Sequence, residues 1–234
     1  MAAGSGRPCG TVQPVAAHDC LLERSVLSYF ENFMMNDFWN ERYRGPGFAY
    51  GDRPNTFLAA HARLYRPGQR VLAVADGEGR NGVWLAERGL QVLSVDVSEA
   101  GLSKARTLAA ERGVSLETLC ADLAEWDWPR AEFDHVVSIF AHFPPDVRQP
   151  IHRAMLNALK PGGLLLLEAF SPEQMDHDSG GPKDPMMLYS AVMLREDFVD
   201  GDIEEIGETL TRLDEGPWHQ GTAAVTRALV RRPG

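Results

Sequence analysis

The chain has 234 residues, of which 44% are apolar and 24% are charged, a composition typical of a globular protein with a sizeable core. Its 33 acidic and 23 basic residues give a net charge of −10, which argues against nucleic acid or an anionic membrane as partner, because both attract basic faces. No apolar run reaches the ~20 residues of a membrane-spanning helix. The three cysteines are widely spaced and the histidines show no ligand-spaced pair, so we expect reduced thiols, no metal and a cytoplasmic location.

Residues 1–34 differ in composition from the rest of the chain. The first twenty, MAAGSGRPCGTVQPVAAHDC, are mostly small or polar and lack the continuous apolar stretch of a signal peptide. Acidic side chains at Asp19, Glu23 and Glu31 also argue against a transit peptide. We therefore expect a disordered N-terminal extension over residues 1–34 and one folded domain over residues 35–234.

From Pro67 onward, short apolar runs alternate with amphipathic segments. The sequence predicts strands in RVLAVA, QVLSVD, SLETLCADL, FDHVVSIF and PGGLLLLEAF, and helices in RNGVWLAERG, EAGLSKARTLAAERG and PDVRQPIHRAMLNALK. Short connections between alternating strands and helices indicate an α/β fold of Rossmann-like, doubly wound type, with a mostly parallel sheet between two layers of helices.

The last two predicted strands break this alternation. DIEEIGETLTRLDEG and GTAAVTRALVRR are joined only by PWHQ, which leaves no room for a crossover helix. They must pair as an antiparallel C-terminal hairpin, which completes a seven-stranded sheet. We expect the strand order to reverse between the first and fourth strands, and ligands bind at the carboxyl ends of the strands at such a point.

The first strand leads into the spacing Gly77-x-Gly79-x-x-Gly82, and the second strand ends at Asp96. This pattern fits two kinds of ligand. In a dinucleotide site the glycine loop holds a pyrophosphate and the acid binds a ribose. In a site for S-adenosylmethionine (SAM), the same loop approaches a nucleoside without phosphate. Asp76 favours SAM, because a carboxylate inside the loop would oppose a pyrophosphate ~4 Å away by several kcal/mol at an effective dielectric of ~20.

A SAM site would use residues from the carboxyl ends of several strands. Asp96 would bind both ribose hydroxyls, and Asp122 would accept the adenine amino group. Each acid has the alternative role of capping a helix, but three acids at strand ends favour a site. The expected cofactor-binding residues are Trp39, Tyr50, Ala75, Asp76, Gly77, Gly79, Asn81, Asp96, Val97, Asp122, Leu123, Ile139 and Phe140.

The chain from about Asn36 onward resembles the class I SAM-dependent methyltransferases, and more narrowly the tellurite-resistance-type and thiol-methyltransferase-like group. The resemblance is carried, in order, by FWNERY, FAYGDRPNTFL, VLAVADGEGRNGVWLAERG, VLSVDVSEAGLSKA, ADL, FDHVVSIFAHFPP, LKPGGLLLLEAFSPEQ and EGPWHQGTAAV. It implies SAM as cofactor. The chain departs from the family's first motif at Ala73 and Ala75, where an acid and a glycine are usual. Two outcomes stay open: Asp76 substitutes for the acid, or SAM binds more weakly.

The acceptor is expected to bind beside SIFAHFPP, after the fourth strand. His142 is the candidate catalytic residue, with three roles open: a general base, a group that orients an oxyanion, or a helix cap. The expected substrate contacts are Tyr43, Phe143 and Tyr189. The segment lacks the Asn/Asp-Pro-Pro pattern frequent in oxygen- and nitrogen-methyltransferases, which favours a thiol or a chalcogen oxyanion such as tellurite.

Two further questions remain open from the sequence. Trp39, Tyr43 and Tyr50 precede the first strand, either as a lid whose aromatic rings contact the sulfonium or as the apolar stripe of a packed helix. The alternative functions are an NAD(P)-binding oxidoreductase and a SAM-binding domain without catalysis. We expect a small-molecule acceptor as partner and a monomer or homodimer.

Overall fold

The computed structural model describes residues 37–234, so the proposed extension over residues 1–34 lies outside the described part. The strands are β1 (Arg70–Val74), β2 (Gln91–Asp96), β3 (Glu117–Cys120), β4 (Phe133–Ile139), β5 (Leu159–Phe170), β6 (Asp202–Asp214) and β7 (Gln220–Arg231). The helices are α1 (residues 37–43, within the described part), α2 (Thr56–Ala60), α3 (Arg80–Ala86), α4 (Glu99–Glu111), α5 (Pro145–Ala158) and α6 (Ala191–Asp197).

The seven strands form one sheet in the order β3-β2-β1-β4-β5-β7-β6. Strands β1 to β5 pair in parallel, whereas β7 runs antiparallel to both β5 and β6. The predicted fold class is therefore confirmed, including the C-terminal hairpin and the reversal of strand order between β1 and β4. A ligand site is expected at the carboxyl ends of these two strands.

The apolar strands are buried on both faces of the sheet. Neighbouring residues of β1 point to opposite sides: Leu72 packs in a cluster with Met155 of α5, and Val71 packs in a cluster with Leu85 of α3. Burying a side chain of this size contributes roughly 1.5–3 kcal/mol. Double-sided coverage explains why the central strands are continuous apolar runs without alternation.

The sequence-based boundaries fail in one place that matters for the site. Strand β3 ends at Cys120 and does not extend to Asp122. Asp122 instead begins a turn, in which the backbone N–H of Ala124 donates to its Oδ1 at 2.9 Å. A short polar side chain that bonds to the backbone two residues ahead favours a turn over an extended strand.

Within residues 37–234, none of the helices has the length and apolar character needed to cross a membrane. The same part of the chain holds no group of three or more His, Cys, Asp or Glu side chains arranged for a metal ion.

Candidate active site

Two residues with unusual backbone conformations mark the carboxyl edge of the sheet. Ala75, directly after β1, has a φ of 50°, and Phe140, directly after β4, has a φ of 54°. A residue with a Cβ in this left-handed region costs roughly 1–2 kcal/mol, and such strain clusters at functional sites. Ala75 holds the conformation that suits glycine, at the position where the resembled family usually has one.

The glycines after β1 permit close packing on two sides of the loop. A Cβ added to Gly79 would lie 2.5 Å from the Cβ of Ala105 in α4, and one added to Gly77 would lie 2.6 Å from the Tyr43 hydroxyl oxygen. Both glycines also have positive φ, 57° at Gly77 and 81° at Gly79. The loop is thus held between α4 and Tyr43, with no space for a side chain at either position.

The carboxylate of Asp76 lies underneath this loop. It accepts hydrogen bonds from the Gly82 N–H at 3.2 Å and from the Ser94 hydroxyl at 2.9 Å, and burial raises its pKa to about 7. Ala73, where the family acid is usual, is buried in the apolar core. Asp76 therefore connects the loop to α3 and β2 through its hydrogen bonds.

Asp96, at the end of β2, is held by backbone groups. Its Oδ2 accepts from the Gly77 N–H and its Oδ1 from the Ser98 N–H, each at 2.8 Å. Burial raises the pKa of Asp96 to about 6. A carboxylate oxygen has more than one acceptor position, so both oxygens retain capacity for the two hydroxyls of a ribose.

The segment of residues 37–53, here called the N-terminal strap, is fastened across the loop. The Asn40 side-chain oxygen accepts from the Ser98 hydroxyl at 2.9 Å. The buried Glu78 accepts from the Ala49 N–H at 2.7 Å and from Lys104 Nζ at 2.8 Å. The strap thus packs over the loop at the carboxyl edge of the sheet.

Aromatic rings follow one another from the strap to the region after β4, a series here called the aromatic row. Centroids of consecutive rings are 4.5–6.3 Å apart in the order Trp39, Tyr43, Tyr50, His219, Phe140, Phe170, His142 and Tyr189. The row separates the residues expected to contact substrate. Tyr43 lies against the glycine loop, whereas the Tyr189 hydroxyl oxygen accepts from the Phe143 N–H at the far end.

Both ring nitrogens of His142 are engaged by the backbone. Nδ1 lies 2.6 Å from the Met187 carbonyl oxygen, and Nε2 accepts from the Phe170 N–H at 3.2 Å. These partners require the neutral tautomer with the proton on Nδ1. Burial agrees, since it lowers the pKa of His142 to about 4. In this arrangement neither nitrogen is available to take a proton from a bound acceptor.

The remaining predicted cofactor residues occupy two environments. Leu123 and Ile139 are buried within the apolar clusters, whereas Val97 and Asp122 are half-buried at the edge of the sheet. Asn81 points its side-chain oxygen toward the Asn55 N–H, at 2.9 Å.

A buried charge network that the sequence did not reveal lies beside the loop. Arg80 Nη2 donates to Glu215 at 2.8 Å. The Asn55 amide donates to Glu215 at 3.2 Å and to Glu168 at 2.7 Å, and Arg227 Nε donates to Glu168 at 2.5 Å. Arg80 Nη1 is buried and has no hydrogen-bond partner in the described part of the chain.

The pKa of Glu215 in this network is shifted in the opposite direction from the pKa values of Asp76 and Asp96 beside the loop. Burial alone would raise the pKa of Glu215, but the hydrogen bond with His219 and the charge of Arg80 lower it to about 2. One sequence signal was present: Glu168 and Arg227 are single charges within the apolar runs LLLLEAF and AAVTRALV, and they face each other across the β5–β7 pair. Such isolated opposite charges in buried strands indicate a cross-strand pair.

Residues 71–163 match the profile of a family described as "Methyltransferase domain". The ubiquinone biosynthesis O-methyltransferase of Idiomarina loihiensis is 35% identical over 107 residues, which cover 44% of this chain and 43% of that protein. The alignment thus spans less than half the length of this curated relative.

Solved structures show the same fold at lower identity. A protein described under "Conversion of a Disulfide Bond into a Thioacetal Group during Echinomycin Biosynthesis" superposes with a TM-score of 0.71 at 24% identity, covering 85% of this chain and 92% of that one. TehB from Haemophilus influenzae gives 0.61 at 20% identity, covering 84% and 66%. Residues 71–163 are therefore similar to a methyltransferase domain, and this likeness indicates SAM as the cofactor.

Proposed function

We propose that this protein is an enzyme that transfers the methyl group of SAM to a small anionic acceptor with a soft nucleophile, a thiolate or a chalcogen oxyanion such as tellurite. The observation that supports the cofactor is the coupling of Asp96 to the Gly77 N–H at 2.8 Å, inside the matched segment. The observation that supports the acceptor is that the backbone occupies both nitrogens of His142.

The residues of the loop fit the cofactor. Gly77 and Gly79 permit the tight packing of the loop against Tyr43 and Ala105, and Asp96 would bind the ribose hydroxyls. Arg80 Nη1, buried beside the loop without a partner in the described chain, would bind the carboxylate of the methionine tail. Bound SAM supplies a methyl group activated by the positive sulfonium. The protein's part is to orient this group and exclude water.

The acceptor side needs geometry more than proton transfer. A reactive pair held ~3–3.5 Å apart gains much of its rate from positioning alone. A thiolate or oxyanion already carries the electron pair that forms the new bond to carbon, so no base is needed in that step. Phe140, His142, Phe143 and Tyr189 would form the wall that positions it.

The test combines ligand binding with an acceptor series. SAM and S-adenosylhomocysteine are expected to raise the melting temperature, because a ligand that binds only the native state stabilises it. NADH and NADPH are expected to leave it unchanged. Methyl transfer is then measured with thiols and tellurite, and with phenols and amines. Stabilisation by NADPH without any response to SAM would refute the cofactor assignment, and turnover of phenols or amines alone would refute the acceptor class.

A second candidate is methylation of a hydroxyl group, which the named relative from Idiomarina loihiensis favours. This reaction needs a base. His152 Nδ1 lies 2.8 Å from the Asp197 carboxylate, and its Nε2 has no partner in the described chain, an arrangement that orients a histidine as a base. His152 is fully buried. If this function holds, His152→Gln abolishes turnover of phenols while thiol turnover, where present, continues.

A further inference from the structure

A cavity of about 370 Å³ lies at the amino-terminal edge of the sheet, opposite the glycine loop. Its lining comes from the segment before β1, the start of β4, the turn at the start of β5 and the end of β7. It contains none of the residues proposed to bind SAM or the acceptor. Its volume is within the ~300–1,000 Å³ range of small-molecule sites.

Four cationic side chains line this cavity: Arg63, Arg66, Lys160 and Arg231. Lys160 is paired with Asp134 at 3.0 Å, and Arg231 with Glu204 at 2.6 Å. Arg63 and Arg66 take part in none of the ion pairs recorded for residues 37–234. In a protein of net charge −10, two unpaired guanidinium groups on one cavity concentrate positive potential there.

A buried histidine adds a second, independent feature. His135 lines the same cavity, is 6% exposed, and its Nδ1 has no hydrogen-bond partner in the described chain. Its Nε2 lies 3.1 Å from the Gln69 side-chain oxygen, which also accepts from the Arg66 N–H at 2.7 Å. Because that oxygen is an acceptor, Nε2 carries the proton, and the lone pair of Nδ1 is left unmet. A buried polar atom without a partner is uncommon in a folded protein.

We propose that this cavity is a binding site for a small polyanion bearing phosphate or carboxylate groups. The planar guanidinium of arginine matches both groups with paired hydrogen bonds, whereas the charge of Lys160 is offset by its ion-pair partner Asp134, which also lines the cavity. A hydroxyl or N–H on the ligand would satisfy His135. The position at the opposite edge from the loop makes this a site separate from the methyl-transfer centre.

The proposal is tested by titration calorimetry on the full chain with pyrophosphate, AMP and citrate as probes. At least one probe is expected to bind, and the comparison of pyrophosphate and AMP with citrate distinguishes phosphate from carboxylate recognition. Arg63→Gln/Arg66→Gln should weaken binding at least tenfold. The matched control Arg153→Gln/Arg195→Gln removes two positive charges from exposed positions elsewhere and should leave affinity within about twofold.

S-adenosylhomocysteine binding, measured in parallel, reports whether each variant is folded. Its affinity is expected to be the same in the wild type, in Arg63→Gln/Arg66→Gln and in the control variant. The idea is overturned if none of the three anions binds the wild-type protein at millimolar concentration. It is equally overturned if the double variant keeps its affinity, or if the control variant loses as much. None of these results depends on methyl transfer.

Discussion

The two sets of buried carboxylates at the carboxyl edge of the sheet differ in what holds them. Asp76 and Asp96, beneath the glycine loop, accept hydrogen bonds from neutral N–H and hydroxyl groups, and burial raises their pKa values to about 7 and about 6. Glu215, on the hairpin side, is paired with Arg80, and its pKa lies at about 2. The carboxylates of the loop side are held by neutral donors, whereas those of the hairpin side are paired with the cationic side chains Arg80 and Arg227.

The largest effect is expected on the hairpin side. Glu215→Ala leaves the buried Arg80 without its ion-pair partner, and breaking a buried pair on one side costs about 3–5 kcal/mol of unfolding free energy. Denaturant unfolding measures the change. Asp214→Ala is the matched control, because Asp214 pairs with Arg53 at 3.8 Å with both side chains more than three-quarters exposed, and such a pair contributes about 1 kcal/mol or less. Similar losses in the two variants would contradict a structural role for the network.

On the loop side, the larger effect should fall on ligand affinity. Asp96→Asn keeps the size of the side chain but removes the charge that would hold the ribose hydroxyls. Hydrogen bonds to a charged group contribute about 1.5–3 kcal/mol, so SAM affinity should fall by about tenfold to 150-fold. Titration calorimetry with S-adenosylhomocysteine provides the measurement.

Stability of the same variant must be measured separately, because Asp96 also accepts from two backbone N–H groups. Asp127→Asn, at an exposed position, is the control for loss of one negative charge. Unchanged affinity in Asp96→Asn, together with reduced stability, would show that Asp96 serves only the loop.

The pH dependence of SAM affinity distinguishes the loop side from the hairpin side. Loss of one charge by protonation changes the affinity by at most about tenfold per pH unit. SAM affinity should fall as the pH drops below about 6, because protonated Asp96 loses its charge. Stability of the ligand-free protein should change in the opposite direction. The folded-state pKa values of Asp76 and Asp96 are raised above the usual 3.8, so their stabilising contribution is complete below about pH 4 and is lost as the pH rises through about 6 to 7.

Glu215 remains ionised throughout this window, so its pair with Arg80 should contribute no slope there. Titrations with S-adenosylhomocysteine between pH 5 and 8, on wild type and on Asp96→Asn, test the prediction. A flat wild-type profile, or an equally steep one in the variant, would assign the proton to a group other than Asp96.

The two sides also differ in how much of them the sequence revealed. The loop side lies between residues 76 and 98, so the spacing of Gly77, Gly79 and Asp96 predicted a site that the fold brings together. Strand β1 presents the loop and the neighbouring β2 ends at Asp96, which puts partners close in sequence also close in space. The strands themselves, the reversal of strand order between β1 and β4 and the C-terminal hairpin followed from the same local logic of apolar runs and short connections.

The hairpin side could not be assembled in this way. Asn55 and Glu215 are separated by 160 positions, and their contact depends on where β6 and β7 join the sheet. Asn55 precedes α2, a five-residue helix too short for its apolar periodicity to stand out. The pairing of Glu168 with Arg227 can be predicted only when the register of β5 and β7 is known. The sequence indicated it only through the position of each charge within an apolar run. Local patterns predict local partners, and tertiary contacts decide the rest.

The smallest effect is expected at His142, near the end of the aromatic row. His142→Asn retains one donor and one acceptor for the backbone partners at Met187 and Phe170, so the methyl-transfer rate should fall by about tenfold or less. Because burial places the pKa of His142 at about 4, the residue is neutral throughout the assay range and should leave no trace in the pH profile. The profile should instead follow the ionisation of the acceptor and shift when a thiol of different pKa is supplied. Rates for a series of thiols between pH 6 and 9, for wild type and variant, provide the comparison. A loss approaching the ~10²–10⁴ of a general base, with a pH limb shared by all acceptors, would instead make His142 the proton acceptor.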